Sequence, residues 1–488
     1  MFDKIKELFK DTAIYGISTI VGRFLVFILV PFYTHYLTEA DFGIYSNIYA
    51  YIAFLNIVYI YGMDAAFLKY SSMAENKDKK NVYSTAYWFV LLSTGILSVL
   101  IMVFKSSFVF LMQVPHQYEH LIYYVVLILF FDTLALIPFA DLRLKRKAGK
   151  FAFIKMAFIF INISLILFFI IKLKYGIEAI FLSNLIASIA AFIFLIPEIG
   201  RSLNFKVKVE SLKQMLNFGM PYLPAAISST IVQVIDRPIL TAMTNDATVG
   251  VYTANYKLGI FMMLFVSMFQ YAWQPFFLVN AKEKDAKEIF SKILTLFVII
   301  ASVIWILVTL FVDDFAKFKL PGGNPIIAPA YWKGLVIVPT VLFAYIFHGM
   351  YVNFNAGIYI EEKTKYLPYI TLVGAVINVV ANLVLIPIYS LVGAAYATLF
   401  SYMAMAIGIY FVSQKFYKIE YEMGKVLRVI GLIVISSIVY FYLYYSNNLL
   451  LVNKFALLVF FIIMLFVLKV VKTAEFSILL RLLKVKKK

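Results

Sequence analysis

Apolar residues run in blocks of about twenty along this chain, and short polar loops divide them. At ~1.5 Å of helical rise per residue each block is long enough to cross a hydrocarbon core ~30 Å thick. The blocks fall near residues 11–36, 42–67, 83–104, 119–141, 151–171, 177–198, 215–242, 249–280, 289–312, 333–360, 366–387, 391–413, 426–445 and 453–471. They predict an all-α polytopic membrane protein of about fourteen transmembrane helices. Pro31, Pro138, Pro221, Pro224, Pro275, Pro339 and Pro387 stand within or at the ends of these spans, where each removes a backbone donor and is able to kink its helix.

A second pattern overlies the first. The junction Gly43-Ile44-Tyr45-Ser46-Asn47-Ile48-Tyr49, where the first loop enters the second span, returns as Gly250-Val251-Tyr252-Thr253-Ala254-Asn255-Tyr256, an offset of 207 positions. The preceding spans open alike, on Tyr15-Gly16 and Phe218-Gly219. A weaker pairing sets Glu178-Ala179 with Ser183 against Gly393-Ala394 with Thr398. Each match joins spans six apart, and an even number of spans preserves direction. The repeats are therefore parallel and related by a pseudo-two-fold axis along the membrane normal. The expected organisation is a lobe of six helices over 1–205, a second over 206–413, and two further helices with a basic tail over 414–488, the tail closing on KVKKK at an anionic leaflet.

Composition agrees with a lipid environment. Of 488 residues 63% are hydrophobic and 14% charged, and the mean hydropathy is +0.90, values foreign to a water-soluble globule. The formal charge of +18 suggests nucleic acid until its distribution is read. With the N-terminus taken as cytosolic, 33 of the 44 lysines and arginines fall in cytosolic segments, 7 in outer loops and four inside spans. Orientation in the membrane accounts for such a bias, puts both termini in the cytosol and leaves no nucleic-acid site. The opening MFDKIKELFK reads as a cytosolic lead-in without a cleavage site. There is no cysteine, and the four histidines lack metal-binding spacing, so no thiolate chemistry, metal or cofactor is expected. Loops are too short to hold a soluble catalytic domain.

The four intramembrane cations are Arg23, Lys155, Arg237 and Lys257. Arg23 lies about 12 residues, roughly 18 Å, into the first span. It either faces a polar cavity as an anion-binding group or is neutralised by Asp132 of the fourth span, because an unpaired charge at that depth costs at least ~2.5–3.5 kcal/mol. Asp236 and Arg237 are neighbours on the seventh span and are expected to point in different directions, one into the cleft and the other capping or snorkelling. Lys257 stands about 10 Å from the outer end of the eighth span, from where it reaches either a cavity or the interface. Lys155 and Asp64 read as interface charges. His348, midway along the tenth span, is a candidate protonatable coupling group or a packed histidine. Asn378 and Asn382, four apart on the eleventh span, share a face that either bonds substrate hydroxyls or ties neighbouring helices. Tyr45, Tyr49, Tyr252 and Tyr256 suit an interfacial aromatic belt, or stacking on sugar rings.

The stretches GRFLVFILVPFYTHYLTEADFGIYS, NFGMPYLPAAI with DRPIL near the end of the same span, and GAVINVVANLVLIPIYSLVGAAYAT together resemble the Wzx-type O-antigen (polysaccharide) flippase family of the MATE/MOP exporter superfamily, over nearly the whole chain. The resemblance implies two six-helix lobes around a cavity that opens alternately to either side of a bacterial cytoplasmic (inner) membrane. It also implies a substrate: an oligosaccharide repeat unit on undecaprenyl diphosphate, turned from the inner to the outer leaflet for surface polysaccharide biosynthesis. On that reading Arg23, Arg237, Lys257, Asn378 and Asn382 line the cavity, while Asp132, Asp236 and His348 serve coupling or charge pairing. Membrane lipid and a coupling ion, H+ or Na+, are the expected partners, with polysaccharide assembly proteins as further candidates.

Two rivals remain. A multidrug antiporter of the same fold would want acids and ring faces around its cation. A membrane glycan polymerase or ligase would need paired groups on an outer loop, where Asp313-Asp314 is the sole acidic pair and has no evident basic companion in sequence. No phosphate-binding G-x-x-x-x-G-K-[S/T] run is present, so ATP hydrolysis by that route is excluded.

Overall fold

The computed structural model of the protein describes residues 27–75 and 78–470. Packing divides the chain into two compact units, Met1–Lys257 with Asn378–Ala394, and Leu258–Ile377 with Ala395–Lys488.

The first unit opens with the described part of helix α1 (27–36). Along the chain come α2 (Glu39–Ile60), α3 (Met63–Met73), α4 (Lys79–Val103), α5 (Lys105–Leu111), α6 (Leu121–Leu134), α7 (Leu136–Leu144), α8 (Ala148–Ile171) and α9 (Glu178–Ser202). The unit continues through α10 (Val209–Gly219), α11 (Leu223–Val234), α12 (Asp236–Met243) and α13 (Asp246–Tyr256). Local chemistry sets the ends of these helices. Thr38 caps α2, its hydroxyl oxygen accepting the Asp41 N–H at 3.1 Å, while Glu39 and Asp41 place negative charge on the positive end of the helix. Asn245 caps α13 in the same way, accepting the Thr248 N–H at 2.9 Å. Asn245 stands 207 positions after Thr38, the same offset that separates Gly250 from Gly43, so the duplication includes the cap.

Two interruptions position the charged groups of the first unit. Between α2 and α3 the backbone turns left-handed at Tyr61 (φ 36°) and Gly62 (φ 74°), which glycine adopts freely and tyrosine at a cost of about 1–2 kcal/mol. The Tyr61 hydroxyl is held 2.9 Å from the Ser93 hydroxyl. Between α11 and α12 the axis bends by 53°, just beyond a stretch where Pro221 and Pro224 withhold two backbone donors.

The second unit comprises α14 (Ile260–Asn280), α15 (Ala286–Lys317), α16 (Val338–Ile360), the part of α17 (Leu367–Tyr389) before Asn378, most of α18 (Leu391–Phe416), α19 (Met423–Tyr445) and α20 (Leu451–Val467). Its core is organised by tryptophans that each bond a carbonyl: Trp305 donates to Pro339 at 2.9 Å and Trp273 to Asn353 at 3.2 Å. Lys454, 3% exposed, carries α20 onto the end of α15 by an ion pair of 2.5 Å with Asp314. Asp313 takes Lys317 at 2.8 Å. Both acids of the Asp313-Asp314 pair therefore have lysine partners, one a helical turn further on and the other 140 positions away, and a structural duty accounts for both.

Eleven described helices are long and apolar enough to cross a membrane, twelve when the bent stretch Val209–Val234 with Asp236–Met243 is taken as one crossing. Leu451–Val467 is shorter, and residues 11–26 of the first expected span lie outside the described residues. Fourteen is thus the count read from sequence, and twelve the number the described helices support. Phe110 is 86% and Phe160 73% exposed, and apolar surface of that kind belongs against lipid.

Where the start of α8 meets the end of α9 the Glu198 side chain, 2% exposed, draws in Lys150 at 2.7 Å, Lys147 at 3.1 Å and Arg201 at 3.5 Å. Because the three cations remain partly exposed, replacing Glu198 by Ala is expected to cost about 1–2 kcal/mol. Thermal unfolding in detergent should show a drop of a few degrees, and Lys147→Ala alone a smaller one.

Candidate functional site

The break before α12 brings two charged side chains together inside the first unit. Asp236 opens α12, where a carboxylate complements the helix dipole, and its Oδ1 accepts the Arg237 backbone N–H at 3.0 Å. The same oxygen accepts Arg237 Nη1 at 2.6 Å, and that nitrogen also donates to the Gln233 carbonyl at 2.6 Å. Asp236 is 3% and Arg237 8% exposed. The divergence expected of sequence neighbours is thus not realised: at the helix break the guanidinium folds back onto the preceding carboxylate. Tyr252 of α13 donates its hydroxyl to the other carboxylate oxygen. Rings complete the site, with Arg237 Cζ lying 5.5 Å from the centre of the Tyr252 ring and 4.7 Å from that of Tyr256.

Lys257 comes next in the chain. Its Nζ stands 5.3 Å from the ring centre of Phe42 and 5.4 Å from that of Tyr45, and among the described residues no carboxylate lies within ion-pair distance of it. Ring faces attract a cation without neutralising it. With Asp236 matched to Arg237, this group of three charged side chains keeps one positive charge in excess. Such a group in an apolar surround holds a phosphate or carboxylate more strongly than it would in water.

The scaffold around the site is a close helix contact. α2 and α13 meet at Gly43 and Gly250, the equivalent glycines of the two repeats. A Cβ on Gly43 would overlap the Asp246 carbonyl, and one on Gly250 would overlap the Glu39 carbonyl. Glu39 precedes Gly43, and Asp246 precedes Gly250, by four residues in each copy, so the contact is reciprocal. A second glycine contact lies at the α2–α3 turn. A Cβ on Gly62 would stand 2.5 Å from the Gly219 carbonyl oxygen, and one on Gly219 3.0 Å from the oxygens of Gly62 and Tyr61. Lys69 of α3 covers the neighbouring Phe218 ring at 4.0 Å.

The remaining residues singled out by sequence are scattered over both units. Arg23 lies outside the described residues. Asp132, on α6, is within electrostatic reach of Lys155 and Tyr49, and Lys155 Nζ sits 4.4 Å above the Phe139 ring. Asn378 and Asn382, both in the first unit and buried, are bonded to each other: the Asn382 amide donates to the Asn378 carbonyl at 2.8 Å and to its side-chain oxygen at 3.0 Å. Asn378 Nδ2 and Asn382 Oδ1 are buried without a partner. His348 belongs to the second unit, 4.8 Å from the Tyr402 ring and stacked at 6.2 Å on Tyr351, with Nδ1 buried and unbonded. Tyr49 accepts Asn184 Nδ2 at 2.6 Å. The sequence suits Tyr252 to an interfacial belt or to stacking on sugar rings and gives Phe42 no role. Nothing local marks a phenol as a carboxylate partner.

This charged group belongs to an all-α chain in which eleven described helices are long and apolar enough to cross a membrane. Its fold matches that of the lipid II flippase MurJ in an inward closed conformation, with a TM-score of 0.72 at 16% identity over 96% of this chain and 99% of that one. It also matches a multidrug resistance MATE family transporter of the MOP superfamily in an inward-facing conformation, at 0.67 and 14% identity over 80% and 94% of the two chains. In sequence it is similar to Lsg locus putative protein 1 of Haemophilus influenzae, 20% identical over 350 residues that cover 69% of this chain and 82% of the relative. The polysaccharide biosynthesis protein family matches residues 8–280, and the chain belongs to that family. The two solved structures are named as a flippase and a transporter, and not as enzymes.

Removing the partner of a buried guanidinium is more costly than removing one hydrogen bond to it. Tyr252→Phe should destabilise by about 1 kcal/mol and Asp236→Ala by about 3–5 kcal/mol, read as thermal shifts of the purified protein. Equal, small shifts would mean that Arg237 is solvated.

Proposed function

We propose that this protein turns oligosaccharide repeat units linked to undecaprenyl diphosphate from the inner to the outer leaflet of the bacterial cytoplasmic membrane by alternating access, in the service of surface polysaccharide biosynthesis. Membership of the polysaccharide biosynthesis family supports the biological setting, and the likeness in fold to a lipid II flippase supports a lipid-linked cargo. The observation that carries the reading is the charge of the site: Arg237 and Lys257 against Asp236, with Lys257 resting on rings and not on an acid. A diphosphate cannot enter hydrocarbon with its charge uncompensated, and cationic side chains replace the water it gives up. The prenyl tail never leaves lipid, so only the headgroup needs a polar path. Arg23, the cation that the sequence sets in the first span, adds to the same sign.

In this reading both termini lie in the cytosol, Thr38 and Asn245 mark the outer end of the path, and the Tyr61–Gly62 turn lies towards the inner end. The sequence lobes 1–205 and 206–413 rock about the bound headgroup, driven by an ion to which Asp132 or His348 responds. A drug antiporter would require the opposite polarity, a carboxylate surplus to hold an organic cation, and the two cations against one acid disfavour it.

Depletion in the native host, followed by leaflet-resolved analysis of lipid-linked oligosaccharides, should show build-up in the inner leaflet. Restored Lys257→Gln should flip at roughly a tenth of the wild-type rate, for about 1.4 kcal/mol of lost anion contact, and Lys257→Arg should retain most of it. Unchanged glycans with new drug sensitivity would overturn the assignment.

A further inference from the structure

The duplicated motif does more than record ancestry. We propose that its two glycines, Gly43 and Gly250, form the seal at the outer end of the transport path, that Gly62 and Gly219 form the seal at the inner end, and that the balance between these two backbone contacts sets the side to which the protein opens. Which seal is the outer one rests on the orientation in the proposed function; the existence of two opposed seals does not.

The geometry is that of contacts able to part as units. At each end two helices meet main chain to main chain, since the neighbours that an added Cβ would meet are the carbonyls of Asp246, Glu39, Gly219, Gly62 and Tyr61. Small residues allow such approach, and in lipid, where burial of apolar surface between helices gains little, close backbone packing supplies much of the association. The two seals lie along one span: Gly43 of α2 and Gly62, in the turn just past the end of α2, are 19 positions apart, about 28 Å at ~1.5 Å per residue, close to the ~30 Å thickness of the hydrocarbon core.

Their partners are not on one rod. Gly219 ends α10 and Gly250 lies in α13, with the 53° bend of α11 against α12 between them. The stretch that carries both partners therefore contains a built-in joint, and that joint is where Asp236 and Arg237 sit. A ligand drawn to Arg237 and Lys257 thus acts at the joint between the seals, where a small change of angle tilts one contact against the other. Each seal also has a companion that resists opening. Lys69 covers Phe218 at the inner one, and Lys257 covers Phe42 and Tyr45 at the outer one. The outer companion is itself the cation that the site holds by rings alone, so an anion that takes Lys257 away from Phe42 and Tyr45 loosens the outer seal as it binds.

A methyl group on one of these glycines cannot be accommodated by rotation of a neighbour, because the obstructing atoms are main chain. It must hold that end apart, and the population shifts to the state in which that end is open. The chain has no cysteine, so a single Gln233→Cys, one turn before Arg237, reports access without background. Intact cells treated with a membrane-impermeant maleimide read outer access, and inside-out vesicles read inner access. Gly43→Ala and Gly250→Ala should each raise outer labelling several-fold and leave inner labelling unchanged or lower. Gly219→Val should do the reverse, as should Gly62→Ala, whose positive φ adds strain of its own. Gly95→Ala and Gly431→Ala, where an added Cβ meets nothing within 4 Å, should alter neither. Changes in the same direction for both pairs, or none in well-expressed protein of normal melting temperature, would overturn the proposal. Labelling needs no substrate, so this result stands apart from whether lipid-linked sugar is the cargo.

Discussion

The approach of α2 to α13 at Gly43 and Gly250 is the constraint on which the rest of the first unit depends. Helix axes come this near only where neither chain carries a Cβ, and the position of each glycine four residues into its capped helix makes the contact reciprocal. Once the two backbones touch, the motif tyrosines have nowhere to go but along the seam. Tyr45 is set beside Phe42 beneath Lys257, and Tyr252 reaches Asp236. A pair of glycines thereby decides where two cations and a carboxylate meet.

Electrostatics in such a place obeys a stricter rule than at a water-facing surface. Arg237 satisfies it in full, with a carboxylate, a carbonyl and two ring faces around one guanidinium. Lys257 satisfies it in part, with rings alone. The difference is chemically useful. A fully compensated cation has little left to offer a ligand, whereas one held by quadrupoles retains its charge and exchanges a weak partner for a strong one at small cost. Pairing of Arg237 with Asp236 then reads as support: it holds the joint of α11 and α12 in a fixed geometry and spares the site an acid that would repel an anion.

The second unit relies on a different kind of bond. Indole donors of Trp305 and Trp273 close on main-chain carbonyls, and the buried Lys454 ties α20 to the loop end of α15. These contacts join segments 34, 80 and 140 positions apart. The Glu198 cluster does similar work at the ends of α8 and α9, where one buried acid fixes three cations that would otherwise spread apart.

Much of this was open to a reading of the chain alone, because the quantities involved are local. Span length comes from helical rise and bilayer thickness, charge bias from loop composition, and the duplication from a seven-residue string with two invariant glycines; a run such as LPYITLVGAVINVVANLVLIPIY has few options in lipid beyond a helix. Orientation about each helix axis is not local, and there the chain by itself was silent or misleading. Adjacent residues on an unbroken helix diverge, so Asp236 and Arg237 were expected apart; a bend that depends on the packing of α11 and α12 put them together. Asp314 had no companion in view because Lys454 stands 140 positions away, and Phe42 and Tyr252 acquired their roles only from the helix that came to lie against them. Periodicity and composition determined which residues enter the membrane, whereas the close packing of glycine against backbone decided which of them meet, since a contact between distant segments is a property of the folded chain and not of any stretch within it.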